Sequence, residues 1–207
     1  MEDGPSSGLP PLIELFDLLE ERDADLSAHG RRVSAYAEAI AREMGLPAPA
    51  VMRVRVAARL HDLGKVWISR DILDKPGPLT EREWAEIRRH PATAGRLLQI
   101  ADLHDLADVV VAHHERPDGA GYPHGVPSTE TPIESQIVAV ADVYDAMLTP
   151  RPYGPTRTPT EARAELQRVA ATQLDQHVVG AFMRVLDGGR ARGSIVGASA
   201  SVSASAS

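Results

Sequence analysis

Two adjacent pairs of metal-ligand side chains stand in the middle of this 207-residue sequence: His61-Asp62 within H-D-L-G-K and His113-His114 within H-H-E-R-P-D-G-A-G-Y-P. Neighbouring side chains on a helix diverge by roughly 100°, so each pair suits two neighbouring metal ions better than chelation of one. Two such pairs imply a multi-metal centre and metal-assisted hydrolysis, with a phosphodiester as the expected substrate. His29, His90 and Asp142 flank the pairs and are further candidate ligands. A donor set of imidazole and carboxylate suits Fe, Mn or Zn.

The elements that must position these groups read as helices. Apolar residues recur at helical spacing between Pro and Gly punctuation, and no run of period-two alternation stands out. A short helix is expected over residues 11–22. The next run places Val33, Tyr36, Ala37, Ile40 and Met44 on one face, with His29 in its first turn and Gly45 and Pro47 as its stop. Residues 49–63 are apolar on several sides and should form a buried helix that delivers His61 and Asp62 at its C-terminal end, where Gly64 breaks it. Thr80 and Glu83 have capping-box spacing and open a helix ending near His90-Pro91. A helix over about 104–114 carries His113 and His114, and a loop rich in Gly and Pro follows through Pro132. Residues 133–148 form a largely apolar helix presenting Asp142, whose unpaired carboxylate would need a metal or a buried cation. Two further helices are expected at about 160–171 and 175–187.

This reading is all-α, a compact helical domain with a buried multi-metal centre. Its organisation is expected to be an N-terminal extension with a short helix (1–22), a metallohydrolase-like domain (23–187) and a disordered low-complexity tail (188–207), too poor in large apolar groups to pack. With 43% hydrophobic but only 4% aromatic residues, the core must be built from Leu, Val, Ile and Ala. A net charge of -7 argues against DNA or RNA polymers and anionic membranes as partners. The absence of cysteine excludes disulfides, thiolate ligands and a cysteine nucleophile. The acidic start lacks the features of a signal peptide, so a cytoplasmic location is expected.

H-D-L-G-K, H-H-E-R-P-D-G-A-G-Y-P, A-D-V-Y-D-A, R-P-Y and A-A-T-Q-L-D occur in the order seen in HD-GYP domains, which the chain resembles from about Asp23 to Leu186. The resemblance implies a helical HD-type fold whose metals, usually Fe or Mn, hydrolyse cyclic di-GMP to pGpG and often on to GMP. It implies His29, His61, Asp62, His90, His113, His114 and Asp142 as metal ligands, Lys65 near the scissile phosphate and Arg151 on a ligand phosphate. Asp62 and Lys65 are thus the expected catalytic residues; Asp62 could bridge two ions, and Lys65 could offset phosphoryl charge. Two ions roughly 3.5–4 Å apart would acidify a bridging water into a hydroxide nucleophile. Gly121, Tyr122 and Pro123 are expected to shape a turn that approaches the nucleotide or docks a signalling protein.

The chain departs from that pattern at several places. Asp25 stands where three-metal members carry glutamate; its shorter side chain favours two ions, with Asp25 a candidate ligand for a third. Gly154 replaces a basic residue that often contacts ligand phosphate. His124, Ser128 and Gln136 replace an acidic residue, a glycine and an arginine around the G-Y-P segment. Two other functions stay open on the sequence: an HD-type hydrolase of other nucleotides, and a non-catalytic module responsive to cyclic dinucleotides.

Overall fold

The computed structural model describes residues 10–149 and 156–192. Arg151, Gly154 and the tail from 193 onward lie outside the described residues. Ten α-helices and two short 3-10 turns follow one another, and the described residues contain no β-strand.

Helix α1 (Pro10–Arg22) sets Leu15 and Leu19 into the same core that α2 (Ala24–Glu43) and α3 (Ala48–Leu60) line. The Arg59 guanidinium lies 4.4 Å over the Phe16 ring, fastening α1 to α3. Helix α2 starts at Ala24 because the Asp23 side chain accepts from the Leu26 amide, so His29 sits in the second turn, one turn deeper than expected. Val33, Ala37, Ile40 and Ala41 form its buried stripe. Helix α3 packs along α2, and Val51, Val54, Ala57, Ala58 and Leu60 make it apolar on several sides.

A 3-10 turn (Leu63–Trp67) and the one-turn helix α4 (Arg70–Leu73) follow. The expected capping box is present at the start of α5 (Glu81–Ile87): the Thr80 hydroxyl accepts from the Glu83 amide, and the Glu83 carboxylate accepts from the Thr80 amide. His90 opens α6 (His90–Ile100), a helix that the sequence pattern does not announce because its small residues Ala92, Ala94 and Gly95 weaken the apolar period. Helix α6 packs against α7 (His104–Val111), and α7 ends two residues before His113.

In the loop after α7, a short turn (Ser128–Glu130) is tied to α8 (Ile133–Leu148) by the Gln136 amide, which donates to the Ser128 carbonyl (2.8 Å) and to the Thr131 hydroxyl (3.0 Å). Helix α8 runs through the core beside α2 and presents Asp142 inward. Helices α9 (Pro159–Val169) and α10 (Gln176–Arg192) close the bundle, with Phe182 edge-on to Tyr36 and Tyr144. Helix α10 continues past residue 188, where the low-complexity stretch begins. Among the described residues no helix is long and apolar enough to cross a membrane.

Candidate metal centre

Three of the histidines are placed by one local device. His61 follows the last residue of α3, His90 comes just after α5, and His113 comes just after α7. The last carbonyls of a helix have no partner inside it. Each of these rings uses one: Nδ1 of His61 donates to Ala58 (2.8 Å), that of His90 to Ile87 (2.7 Å) and that of His113 to Val110 (2.6 Å). With its proton held on Nδ1, the neutral ring directs its Nε2 lone pair inward, the tautomer a metal ligand needs.

Those lone pairs converge. Asp62, His90, His113 and His114 offer ligand atoms within 4.8 Å of one another, and so do His29, His61 and Asp142. Asp62 stands between the two groups: its Oδ1 is 3.2 Å from His90 Nε2, while its Oδ2 is 3.4 Å from His61 Nε2 and 3.8 Å from His29 Nε2. Nε2 of His61, His90 and His113 and Oδ1 of Asp62 are buried with no hydrogen-bond partner. Leaving one such atom unsatisfied in a protein interior costs about 1–3 kcal/mol. Four of them facing one another fit divalent cations as the missing partner.

His29 is held differently. Its Nδ1 meets Asp145 Oδ2 at 2.7 Å, and its Nε2 meets Asp142 Oδ1 at 3.1 Å. Arg32 clamps Asp145 through Nε (2.8 Å) and Nη2 (2.9 Å), and the Thr149 hydroxyl also reaches that carboxylate. Asp145 and Arg32 were not singled out from sequence, although each stands three residues after a candidate ligand on the same helix face. Glu115 was missed as well. Its buried carboxylate accepts from the amides of His124 (2.7 Å), Gly125 (3.2 Å) and Val126 (3.1 Å), which folds the G-Y-P segment back over the histidines.

Gly121 is required where it stands, since a Cβ there would come within 2.5 Å of the His114 carbonyl oxygen. The Tyr122 amide donates to that carbonyl, its ring stacks on His114 with centroids 4.6 Å apart, and the Tyr122-Pro123 peptide is cis. Gly64 is required too: a Cβ would collide with the backbone of His90, so only glycine lets the H-D turn pack against the start of α6.

Protonation follows from this crowding. Burial works against the charged forms, but the mutual attraction of His61, Asp62 and Asp142 outweighs it. His61 is raised to about 10, and both carboxyls are held well below the usual carboxylate range. For His113 and His114 burial and the neighbouring imidazoles prevail, lowering His114 to about 3 and His113 well below its ordinary value. Burial, then Asp62 and Asp142, raise Tyr122, which keeps its hydroxyl proton. Lys65 donates to Asp62 Oδ2 at 2.7 Å.

A cleft of about 1220 Å³ opens over these groups. His90, His114, Asp142, Lys65 and Tyr122 line its polar side, and apolar side chains including Trp84, Ile87 and Met147 line the rest. Of the residues expected at the site, the structure brings together the seven candidate ligands, Lys65 and the Gly121–Pro123 turn. Asp25 is exposed in the first turn of α2 and belongs to neither ligand group.

The HD domain family profile matches residues 15–178. The chain belongs to the HD domain family. This HD domain is 38% identical over 178 residues to a cyclic di-GMP phosphodiesterase of Thermotoga maritima, covering 84% of this chain and 48% of the relative. It is 33% identical over 171 residues to 3'3'-cGAMP-specific phosphodiesterase 3 of Vibrio cholerae, covering 82% and 37%. The chain therefore spans about half the length, or less, of these curated relatives. In fold it matches Bd1817, a HDG"Y"P protein from Bdellovibrio bacteriovorus, with a TM-score of 0.67 at 20% identity over 80% of this chain and 54% of that one. The HD domain of the Listeria monocytogenes phosphodiesterase PgpH matches with a TM-score of 0.61 at 14% identity, covering 86% and 97%.

Proposed function

We propose that this HD domain is a metal-dependent phosphodiesterase that hydrolyses cyclic di-GMP to the linear dinucleotide pGpG, to GMP, or to both. The observation that carries the reading is the set of buried, partnerless Nε2 and Oδ1 atoms of His61, His90, His113 and Asp62, gathered behind a cleft that His90, His114 and Asp142 line. A non-catalytic binding module has no need of such a set. The relatives named above support the substrate class.

In this reading His29, His61 and Asp142 would hold one divalent ion, and His90, His113 and His114 a second. Asp62, whose two carboxylate oxygens face the two groups, would serve both. Fe or Mn is the proposed metal, in keeping with the nitrogen and oxygen donors. When bound, such ions supply Lewis acidity that neutralises phosphoryl charge and lowers the pKa of water.

The chain's own residues supply the rest. The depressed pKa values of Asp62 and Asp142 keep both carboxylates charged and ready to ligate across the neutral range. The Lys65 ammonium, a hydrogen bond away from Asp62 and facing the cleft, stabilises charge that develops on the phosphoryl oxygens. Tyr122 keeps its proton and offers a hydroxyl donor from the cleft wall. Hydrolysis adds water across one P–O bond, and release of the 3' oxygen leaves the 5'-phosphate of pGpG. Arg151 is proposed as a further contact to ligand phosphate, cytoplasm as the location, and the G-Y-P turn as a surface for a signalling protein.

The test is turnover by Mn- or Fe-loaded protein, prepared anaerobically, on a panel of cyclic di-GMP, 3'3'-cGAMP and cyclic di-AMP, with products resolved by anion exchange. Cyclic di-GMP should give the highest kcat/KM. A higher kcat/KM on 3'3'-cGAMP or cyclic di-AMP, or no turnover of any of the three, would refute the reading.

A further inference from the structure

Helix α5 sets its apolar face toward the cleft instead of the core. None of its residues is buried, yet Trp84 and Ile87, three positions apart on one face, both line the cavity. The helix is nonetheless firmly held, by the capping box at Thr80 and Glu83 and by the Lys75 ammonium donating to Glu83 at 2.7 Å. Trp84 is 42% exposed, a large aromatic surface left open inside a pocket. Its ring belongs to a series of ring contacts that reaches the ligand groups. The Arg88 guanidinium lies 5.8 Å from the Trp84 centroid and 5.9 Å from that of Tyr122, and Tyr122 stacks on His114. The Arg88 cation thus lies within 6 Å of both ring centroids, the distance at which a guanidinium is attracted to an aromatic face.

We propose that Trp84 is the platform on which one purine base of the cyclic dinucleotide stacks, with Arg88 the positioning residue that holds its ring. The inference rests on the reading of the cleft as a cyclic dinucleotide site. A phosphodiester at the metal centre carries two bases with it, and each base offers a π-face to an open indole. Such stacking takes any base and contributes about 1–3 kcal/mol. Removing the indole therefore weakens binding about fivefold to 150-fold.

The experiment compares wild type with Trp84→Leu, as Mn-loaded full chain, on cyclic di-GMP and on methyl p-nitrophenyl phosphate, a phosphodiester with no base. The ratio of the two kcat/KM values should fall about fivefold to 150-fold in the variant, through KM. A ratio within about twofold of wild type would overturn the proposal, because a merely structural tryptophan would affect both substrates alike. Arg88→Met should raise KM for cyclic di-GMP about two- to fivefold with kcat unchanged, and an unchanged KM would remove Arg88 from the scheme. A second arm needs no turnover. In a Trp67→Phe chain Trp84 is the only tryptophan, and its emission should be quenched saturably on rapid mixing with cyclic di-GMP. If wild type hydrolyses no cyclic di-GMP, the phosphodiesterase reading fails by itself, and this arm still decides the platform: saturable quenching supports it, and no quenching overturns it.

Discussion

At the scale of single residues, the site depends on which nitrogen of each imidazole carries the proton. His61, His90 and His113 settle this with helix-end carbonyls, whereas His29 depends on the Asp145 carboxylate and the Arg32 clamp behind it. Asp145→Asn removes the charge from that support while preserving its shape. Metal affinity should fall about 10- to 100-fold with the helical circular dichroism retained, and an unchanged affinity would show that Asp145 does not orient His29. The shifted histidines also predict how the metal-free chain responds to pH. His113 and His114 stay neutral when folded but take up protons when unfolded, so stability falls as pH drops below about 6.5. His61 behaves oppositely: its folded pKa of about 10 lies above the unfolded value, so its contribution is complete below about 6.5 and is lost as pH rises toward 10. The Tm of metal-stripped protein should therefore peak near pH 6.5. A Tm that kept climbing from pH 6.5 to 10 would contradict this electrostatic picture.

At the scale of elements, helix ends deliver five of the candidate ligands, His61, Asp62, His90, His113 and His114, and that much was legible in the sequence. The adjacent pairs His61-Asp62 and His113-His114 fall where apolar periodicity stops, and α3, α5, α8 and α9 lie close to where period and capping place them. Helix α6 was not legible, since its small residues carry little periodic signal; His90-Pro91 reads in the sequence only as the end of the preceding helix. His29 lies one turn deeper than its spacing suggests because the Asp23 N-cap starts α2 at Ala24. Asp145, Arg32 and Glu115 escaped notice for another reason: they act through contacts between residues distant in sequence or through loop amides, which no local pattern reports. Gly64 looked like a helix breaker, but its role is close approach to His90. Gly64→Ala should accordingly lower stability by about 1–3 kcal/mol and weaken metal binding as well, read by thermal melts and metal titration. A melt unchanged within about 0.5 kcal/mol would mean that the turn accommodates a methyl group.

At the scale of the whole molecule, the bundle is a frame that holds two ligand groups on either side of Asp62 under one open cleft. Helix α1, expected as part of an extension, sends Leu15 and Leu19 into that frame, and we propose that it belongs to the folding unit. Leu19→Ala should destabilise the protein by about 2–5 kcal/mol, as truncation of a fully buried leucine does, and a loss under about 0.5 kcal/mol would show that α1 is dispensable. The central claim is that the converging ligands hold metals that hydrolyse a cyclic dinucleotide. Its most direct test measures metal content and cyclic di-GMP turnover together, in anaerobically prepared wild type and in Asp62→Ala. The expected result is a metal-filled wild type that yields pGpG or GMP, beside a variant with depleted metal and no product. Metal-filled wild-type protein that leaves cyclic di-GMP intact, or an Asp62→Ala variant as active as wild type, would contradict it.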